Sequence, residues 1–297
     1  MDRNSLAELA GVTKRFGKTV ALEGLDLSIR SGELFALLGP NGAGKTTAIS
    51  LLLGLQQPDS GSATLFGLPP ARLESRRSVG VMMQEAALAP ELRVHEQIDL
   101  AASYYPDPLT PAAVMQITHT DSLAARPYGA LSGGQKRQVQ FAMAICGRPR
   151  LLFLDEPTAG LDLQAREMMW ATVRRLVAEG ASIVLTTHYL EEAETLADRV
   201  AVLAKGRVIA SGSVNEMRAL VVRKQISCSS TLSADQVRVW AGVESARRDH
   251  KGLHITAANA EVVVRRLLAA DEDVQDLEVR RAGLAEVFTE LTQERAA

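Results

Sequence analysis

The chain has 297 residues, with 33 Lys and Arg against 35 Asp and Glu, so its formal net charge is −2 at pH 7. This length predicts one large domain, or one domain with a smaller companion, and a core that needs neither disulfides nor metals. The near-neutral balance gives no electrostatic basis for wrapping nucleic acid, which usually requires a basic excess. Two cysteines, Cys146 and Cys228, are too few for a disulfide framework or a zinc site and indicate a reducing compartment.

No apolar stretch in the sequence approaches the roughly 20 residues that a membrane-spanning helix requires. The longest stretches are Leu34–Leu38, Ala48–Leu55 and Leu151–Leu154. Residues 1–5 also lack the apolar core of a signal peptide. Composition alone therefore predicts a cytosolic chain without a membrane anchor of its own.

The first half of the chain predicts strands and helices around one glycine-rich loop. Up to about residue 30, apolar residues recur mostly at every second position and predict short strands joined by turns. A buried strand is predicted over Leu34–Leu38, a helix from about Lys45 to Leu53, and another strand over Ala63–Phe66. Residues 90–130 predict helices that prolines interrupt, at Pro106, Pro108 and Pro111.

From Leu131 onwards, short apolar strands alternate with helices, which is typical of a parallel sheet covered on both faces. The predicted elements are helix Gly134–Ile145, strand Leu151–Leu154, helix Gln164–Glu179, strand Ser182–Thr186 and an edge hairpin of Ala201–Ala204 with Arg207–Ala210.

After about residue 215 the glycine-rich loops end, and the sequence predicts a second, smaller α+β domain. We expect a first domain over 1–215, with a helical subdomain at about 88–145, and a second domain over 216–297. The predicted elements of the second domain are strands near 225–231, 236–241 and 253–257, a helix over Ala260–Ala270, a strand over 276–281 and a short helix. An apolar stripe at helical spacing predicts that last helix, through Leu284, Val287, Phe288 and Leu291.

Residues 39–46 are Gly-Pro-Asn-Gly-Ala-Gly-Lys-Thr and fit the phosphate-binding pattern G-x-x-x-x-G-K-[ST], between a predicted strand and a predicted helix. Glycines let successive backbone N–H groups turn toward phosphate oxygens, and the helix N-terminus adds partial positive charge at the same point. Lys45 is suited to neutralise the β- and γ-phosphates of a nucleotide, and the Thr46 hydroxyl to ligate magnesium. The structural alternative is an ordinary glycine-rich turn between strand and helix.

The strand Leu151–Leu154 is followed by two carboxylates, Asp155 and Glu156. Ligands of parallel sheets bind at the carboxyl edge of the strands, where these side chains are expected. There the first carboxylate can hold a metal through water, and the second can polarise an attacking water. A helix N-cap would explain the pair taken alone, but a phosphate loop earlier in the same chain favours nucleotide hydrolysis.

A third motif, Leu131-Ser132-Gly133-Gly134-Gln135, opens a predicted helix. Ser132 is a good N-cap, and the two glycines leave backbone N–H groups accessible at the positive end of the helix. Taken alone, the motif predicts a capped helix. Beside the phosphate loop, it predicts a second anion-binding helix end in one chain.

The order of six motifs resembles that of the nucleotide-binding subunits of ATP-binding cassette (ABC) transporters, over roughly residues 5–215. The motifs are Gly39–Thr47, Gln84, Leu131–Gln135, Leu151–Glu156, Gly160-Leu161-Asp162 and His188. The resemblance implies an α/β P-loop NTPase fold: a mainly parallel sheet core, an antiparallel β subdomain and a helical signature subdomain, followed here by a small α+β C-terminal domain. It also implies ATP and Mg²⁺ as cofactors and ATP hydrolysis as the reaction.

The resemblance further implies a role for individual residues. Glu156 would be the general base, His188 would contact the γ-phosphate, and Gln84 would touch the attacking water and sense the transmembrane partner. Mg²⁺ would be held by Thr46, Gln84 and Asp155. Phe16 would stack on adenine, and the residues that hold the phosphates would be Gly39, Pro40, Asn41, Gly42, Ala43, Gly44, Lys45, Thr46 and Thr47.

The same resemblance implies a role for the third motif. The residues Ser132, Gly133, Gly134 and Gln135 would bind the ATP held by a second copy of the chain, and Asp162 would lie in the loop that couples the two sites. The implied assembly is a homodimer that sandwiches two ATP molecules head to tail. It would drive integral-membrane permease subunits, and no nucleic acid is expected. The chain would then be cytoplasmic, held at the inner face of the cell membrane by the permease.

Within the family, the segments Gln140–Gly147, Asp155–Asp162 and Leu284–Thr292 resemble the bacterial drug- and antibiotic-exporter branch. Two alternatives stay open at this point. One is an importer ATPase with a regulatory C-terminal domain. The other is a soluble ABC protein that acts on DNA or ribosomes, although such proteins usually carry two cassettes or a long coiled coil, and this chain has one cassette. Cargo contacts are expected in the permease.

Overall fold

The computed structural model describes residues 5–84, 86–219, 224–250, 252–281, 283–284 and 288. The chain divides into two compact units, Met1–Ser213 and Val214–Ala297. The strands of the first unit are β1 (Ser5–Phe16), β2 (Thr19–Arg30), β3 (Leu34–Leu38), β4 (Ser60–Leu65), β5 (Val79–Met82), β6 (Leu151–Asp155), β7 (Ser182–Thr186), β8 (Arg199–Ala204) and β9 (Arg207–Ser213). Its α-helices are α1 (Lys45–Leu52), α2 (Leu73–Arg76), α3 (Val94–Ala102), α4 (Pro111–Thr118), α5 (Gly133–Ile145), α6 (Leu163–Ala178) and α7 (Leu190–Leu196).

A six-stranded sheet with the order β5-β6-β7-β3-β8-β9 forms the centre of the first unit. Neighbouring strands are parallel except β9, which pairs antiparallel with β8. Leu151 and Phe153 pack into one core with α1, β1 and β2, whereas Leu152 and Leu154 pack into a second core with α3, α5 and α6. Because alternate residues of a strand point to opposite faces, the predicted sheet with two covered faces is confirmed.

A separate antiparallel sheet has the order β2-β1-β4. Its strands β1 and β2 are 12 residues long, so the short strands predicted for this part were wrong in length. The β1–β2 register shifts at several points, one of them between Leu9 and Val12, where Gly11 has a φ of 58°. Each shift changes the face to which the following residues point. Two long strands therefore resemble several short ones in sequence.

The segment between β5 and β6 is helical, as predicted, but one of the predicted breaks is wrong. Pro111 is the first residue of α4, and the Thr110 hydroxyl caps that helix by accepting a hydrogen bond of 3.3 Å from Ala113 N. Proline suits this position because its fixed φ is helical and its missing N–H would have no partner within the helix. Pro111 thus starts a helix rather than interrupting one.

The second unit contains α8 (Val214–Ala219), β10 (Lys224–Ser229), α9 (Ala234–Arg238), β11 (Val243–Asp249), β12 (Gly252–Ala257), α10 (Ala260–Ala270) and β13 (Gln275–Arg281). Its sheet has the order β11-β12-β10-β13, with every neighbouring pair antiparallel. This β-α-β-β-α-β arrangement is the split βαβ topology. The predicted helix Ala260–Ala270 is confirmed as α10.

The strand predicted near 236–241 is wrong, because α9 occupies the start of this segment. Ser233 and Gln236 form a capping box, in which Gln236 N donates to Ser233 Oγ at 3.3 Å and Ser233 N donates to Gln236 Oε1 at 2.8 Å. Val237 and Trp240 are buried, whereas Val239 is 82% exposed. Burial at positions three apart follows a helix, and the strand lies further along, as β11.

The last predicted helix lies mostly outside the described residues, and the prediction on membrane-spanning helices can be compared with the rest. Of the stripe predicted for the last helix, Val287 and Leu291 lie outside the described residues. Within the described ranges, no helix is long and apolar enough to cross a bilayer.

Candidate functional site

A cleft of about 600 Å³ lies at the carboxyl edge of the parallel strands. Its walls come from the end of β1, from the start of β2, from the end of β6 and from the segments that follow β3, β5, β6 and β7. Loops at this edge of a parallel sheet converge, which is why ligands bind there. The residues that line the cleft are Phe16, Thr19, Val20, Ala21, Asn41, Gly42, Gly44, Lys45, Thr46, Thr47, Gln84, Asp155, Glu156 and His188.

Most of the predicted site residues thus meet in one place. The described structure also adds Thr19, Val20 and Ala21, which the sequence motifs did not indicate. These residues begin β2, close to Phe16 at the end of β1, which is 49% exposed. Their contribution depends on the packing of the antiparallel sheet against the parallel one, and no local sequence signal encodes it.

The loop after β3 is shaped by glycine backbone geometry. Gly44 has a φ of 108°, and a Cβ on this residue would lie 2.6 Å from Ala21 O. Only glycine fits both conditions. Helix α1 begins at Lys45 without a side-chain hydrogen bond to its cap, so the first N–H groups of the helix face the cleft with no capping side chain. An N-terminus in this state is suited to bind an anion.

Lys45 is held over the same loop. Its Nζ donates hydrogen bonds to Gly39 O at 2.7 Å and to Pro40 O at 3.2 Å. Burial lowers the pKa of Lys45, and the carboxylates of Glu156 and Asp155 act in the opposite direction. The ammonium group is therefore close enough to the acidic pair for their charges to interact, and it lies beside a helix end that is suited to bind a phosphate.

Two strand ends carry the acidic pair and its partners. Asp155, at the end of β6, is buried, and its Oδ1 accepts a hydrogen bond from the Thr186 hydroxyl at the end of β7. Glu156 N donates to Thr186 O at 2.9 Å, and Glu156 Oε1 lies 3.1 Å from His188 Nδ1. The structure thus brings a buried carboxylate, a partly exposed carboxylate and a histidine to one wall of the cleft.

These residues fit a nucleoside triphosphate with Mg²⁺. Magnesium is usually bound through one or two carboxylates together with phosphate oxygens, and the cleft offers Asp155, the Thr46 hydroxyl and Gln84 beside an uncapped helix end. Among the described residues, no group of three or more His, Cys, Asp or Glu could hold a metal ion. The oxygen atoms of Asp155, Thr46 and Gln84 are of the kind that Mg²⁺ binds together with phosphate oxygens.

The third motif and Asp162 do not line this cleft. Ser132 caps α5 in a capping box with Gln135, whose N donates to Ser132 Oγ at 3.3 Å. Asp162 Oδ1 accepts a hydrogen bond of 2.8 Å from Ala165 N and caps α6. The two segments adjoin each other, since a Cβ on Gly134 would lie 3.3 Å from Gly160 O.

One buried residue at the site was missed in the sequence. Arg137, in α5, donates hydrogen bonds to four backbone carbonyls, those of Met83, Gln84, Asp155 and Glu156. The available signal was its place on the buried face of α5, four residues before Phe141. An arginine at such a position requires several acceptors, but their identity depends on segments remote in sequence.

Comparison with known proteins agrees with these features. Residues 22–159 match the family model of the ABC transporter, a range that includes the phosphate loop, Gln84, the third motif and the acidic pair. A protein of Burkholderia lata named Nod factor export ATP-binding protein I is 36% identical over 283 residues, which are 93% of this chain and 89% of that protein.

Solved structures give the same result for the fold. The ATP-binding subunit of an ABC transporter is 29% identical and superposes with a TM-score of 0.67 over 73% of this chain and 93% of its own. A dimeric ATP-binding cassette in a post-hydrolysis state, bound to ADP and phosphate, is 24% identical with a TM-score of 0.65, over 70% of this chain and 98% of its own. At that identity the second likeness concerns the fold alone.

Proposed function

The chain belongs to the ABC transporter family as an ATP-binding subunit that hydrolyses ATP, and from this premise we propose that it is the motor of an exporter. The observation that carries the proposal is the length of the match to the Nod factor export ATP-binding protein. It covers 93% of the chain and so extends beyond Met1–Ser213 into the second unit. A likeness that includes the second unit favours an exporter over an importer with an unrelated regulatory domain.

We assign the roles in the cleft as follows. The N-terminus of α1, Lys45 and the loop Gly39–Thr47 bind the phosphates, and Phe16 stacks on adenine. Glu156 takes a proton from the attacking water, and His188 holds the Glu156 carboxylate while it contacts the γ-phosphate. Bound Mg²⁺ would neutralise charge on the phosphate oxygens, with Thr46, Gln84 and Asp155 as its protein contacts.

We propose further that the active assembly is a homodimer with two shared sites. Ser132, Gly133, Gly134 and Gln135 lie outside the cleft of their own chain, yet they form a helix N-terminus suited to an anion. In a head-to-tail pair this helix end would meet the phosphates held by the other copy. Asp162, next to the third motif, would then connect the two sites.

The proposed permease surface is an apolar groove beside the segment that follows Gln84. The groove has a volume of about 510 Å³, and its lining includes Leu88 of that segment, Leu100 of α3 and Tyr104, which follows α3. Leu100 is 49% exposed and Tyr104 is 75% exposed. An ABC subunit must contact its permease near Gln84 if that residue senses the partner, and the groove is continuous with this segment. Docking here would hold the chain at the cytoplasmic face of the membrane.

Co-purification with a defined membrane protein tests this proposal. The chain is co-expressed with the permease candidate encoded beside its gene, extracted in detergent and isolated through a tag on the chain. The wild type should retain the permease, Tyr104→Glu and Leu100→Glu should lose it, and Val239→Glu, at a residue of the second unit that is 82% exposed, should retain it. Failure of the wild type to retain the permease, or retention by all variants, would contradict the proposed surface.

A further inference from the structure

Arg137 connects two segments of the site that are far apart in sequence. Only 8% of the residue is exposed. Its Nη1 donates to Met83 O at 2.9 Å and to Gln84 O at 3.1 Å, and its Nη2 donates to Asp155 O at 2.9 Å and to Glu156 O. The first two carbonyls follow β5, Asp155 is the last residue of β6 and Glu156 follows it, so one guanidinium holds two strand ends together.

The acceptors explain why a charged side chain is buried here. A buried cation is costly unless hydrogen bonds replace its water, and Arg137 also donates to Gln140 Oε1 at 3.0 Å. Burial lowers the pKa of Arg137, while the carboxylates of Asp155 and Glu156 act to raise it. Because the guanidinium is planar with donors in a rigid fork, it fixes the spacing of the carbonyls, which a single ammonium could not do.

The spacing of these carbonyls bears on the backbone conformation of Glu156. Glu156 has a φ of 48°, in the left-handed region that residues with a Cβ adopt only when the surroundings hold them there. Its N–H is bound by Thr186 O at 2.9 Å, and its C=O is bound by Arg137. The peptide on each side of the residue is therefore fixed, and with it the direction of the carboxylate toward His188.

We propose that Arg137 is a positioning residue for ATP hydrolysis, which couples the segment of Gln84 to the catalytic turn of Glu156. The inference rests on the proposed role of Glu156 as general base. When the segment of Gln84 moves, its carbonyl moves the guanidinium, and the guanidinium moves the Glu156 backbone. Since Arg137 also lies in the helix that begins with the third motif, engagement of that helix end by a second copy acts on the same link.

Two variants of Arg137 separate positioning from folding. Arg137→Met removes every hydrogen bond, and Arg137→Lys keeps the charge but not the fork. We expect kcat to fall by about 10²-fold in Arg137→Met, as a displacement of about 1 Å at a catalytic group can produce, with KM and the Kd for ATP nearly unchanged. Arg137→Lys should keep a thermal midpoint close to that of the wild type and still lose most of kcat.

Arg199 supplies a matched control. It is also a poorly exposed arginine, and it donates to Glu33 Oε1 at 2.7 Å, to Glu33 Oε2 at 3.0 Å and to Ser28 O, but it does not line the cleft. Arg199→Met should lower the thermal midpoint and leave kcat per folded chain unchanged. All rates are measured below the lowest midpoint and divided by the folded fraction, and Arg137→Lys decides the question if Arg137→Met does not fold.

The outcomes distinguish this inference from the proposed function. Turnover in Glu156→Gln near that of the wild type would refute the assignment of the base itself. If Glu156→Gln is inactive but Arg137→Lys retains full kcat, charge alone suffices and the positioning role is overturned. A rise in KM with unchanged kcat in the Arg137 variants would overturn it as well, because that result indicates nucleotide binding.

Discussion

His188 Nδ1 lies 3.1 Å from Glu156 Oε1, and this contact joins the segment after β7 to the end of β6. The Glu156 side chain is 16% exposed and that of His188 is 48% exposed. The histidine is therefore accessible to a ligand in the cleft while it holds the carboxylate. A single contact orients the proposed base and places a second polar group in the cleft that we propose holds the phosphates.

The first prediction follows from this contact. His188→Ala should lower kcat by about 10²- to 10³-fold, because the carboxylate loses its orienting partner and the γ-phosphate loses a donor. ATP binding, measured by equilibrium dialysis, should remain within a few-fold of the wild type. His250→Ala, at an exposed residue of the second unit, is the control and should not change kcat. Loss of ATP binding in His188→Ala would show that His188 acts in binding rather than in hydrolysis.

The second prediction tests the proposed homodimer, in which each ATP site is formed by two chains. Lys45→Ala disables the phosphate loop, and Ser132→Arg disables the third motif, so each homodimer should be inactive. A mixture forms dimers in which one site has an intact Lys45 from one chain and an intact Ser132 from the other. Random mixing should then restore about a quarter of the wild-type ATPase rate, since about half the dimers are mixed and each has one complete site of two.

That restoration is checked by an ATPase assay of the mixture against each variant alone, after both variants have been shown to fold. An unchanged, inactive mixture would argue against the head-to-tail dimer.

A third prediction concerns the buried pair of Trp170 and Glu192. Trp170 Nε1 donates to Glu192 Oε1 at 3.0 Å, Glu192 is fully buried, and its Oε2 has no hydrogen-bond partner among the described residues. Trp170→Phe should lower the free energy of unfolding by about 1.5–3 kcal/mol, since a buried carboxylate loses its donor. Urea unfolding followed by circular dichroism measures this change. In a Glu192→Gln background, Trp170→Phe should lower the free energy of unfolding by less. An equal decrease would contradict the role assigned to the Glu192 side chain.

The fourth prediction is a pH dependence in the second unit. Hydrogen bonds from the Ser230 hydroxyl, at 2.6 Å, and from the backbone N of Thr231 lower the pKa of the Asp271 carboxyl to about 2. In the unfolded chain this pKa returns to about 4. The resulting stabilisation is complete above the unfolded value and is lost as the pH falls toward the folded value. Asp271→Asn should therefore destabilise the unit more at pH 7 than at pH 3.5.

Fluorescence of Trp240 during urea unfolding, in a Trp170→Phe background, reports on the second unit, because the chain has only two tryptophans. Asp273→Asn is the control, since Asp273 donates to Asp271 through its backbone N, which the substitution keeps. An equal loss of stability at both pH values would refute the assigned role of Asp271.

Much of the site was predictable because its signals are local. The phosphate loop, the acidic pair after β6 and the N-cap at Ser132 each combine residue types within a few positions, and the structure places them at strand ends and helix starts. Arg137 was not predictable in this way. Its role depends on carbonyls of Gln84 and Glu156, and backbone acceptors leave no residue type in the sequence to identify them.

The errors in the predicted secondary structure have physical causes that the apolar pattern alone does not reveal. In the segment that became α9, Val237 and Val239 alternate like a strand, but the capping box at Ser233 starts a helix and leaves Val239 exposed. In β1 and β2, bulges change the phase of alternation. In both cases a short apolar pattern is compatible with two structures. Helix capping decides between them in α9, and strand pairing decides in β1 and β2.

The central claim is that Glu156 is the general base of an ATP-bound dimer. It is tested most directly by the effect of Glu156→Gln on ATP hydrolysis with Mg²⁺, together with the size of the ATP-bound particle measured by light scattering. We predict a fall in kcat of about 10²- to 10⁴-fold, as expected when a general base is removed. ATP should still bind, and the variant should accumulate as a dimer while the same variant without ATP does not. Hydrolysis near the wild-type rate, or an ATP-bound monomer, would contradict the account.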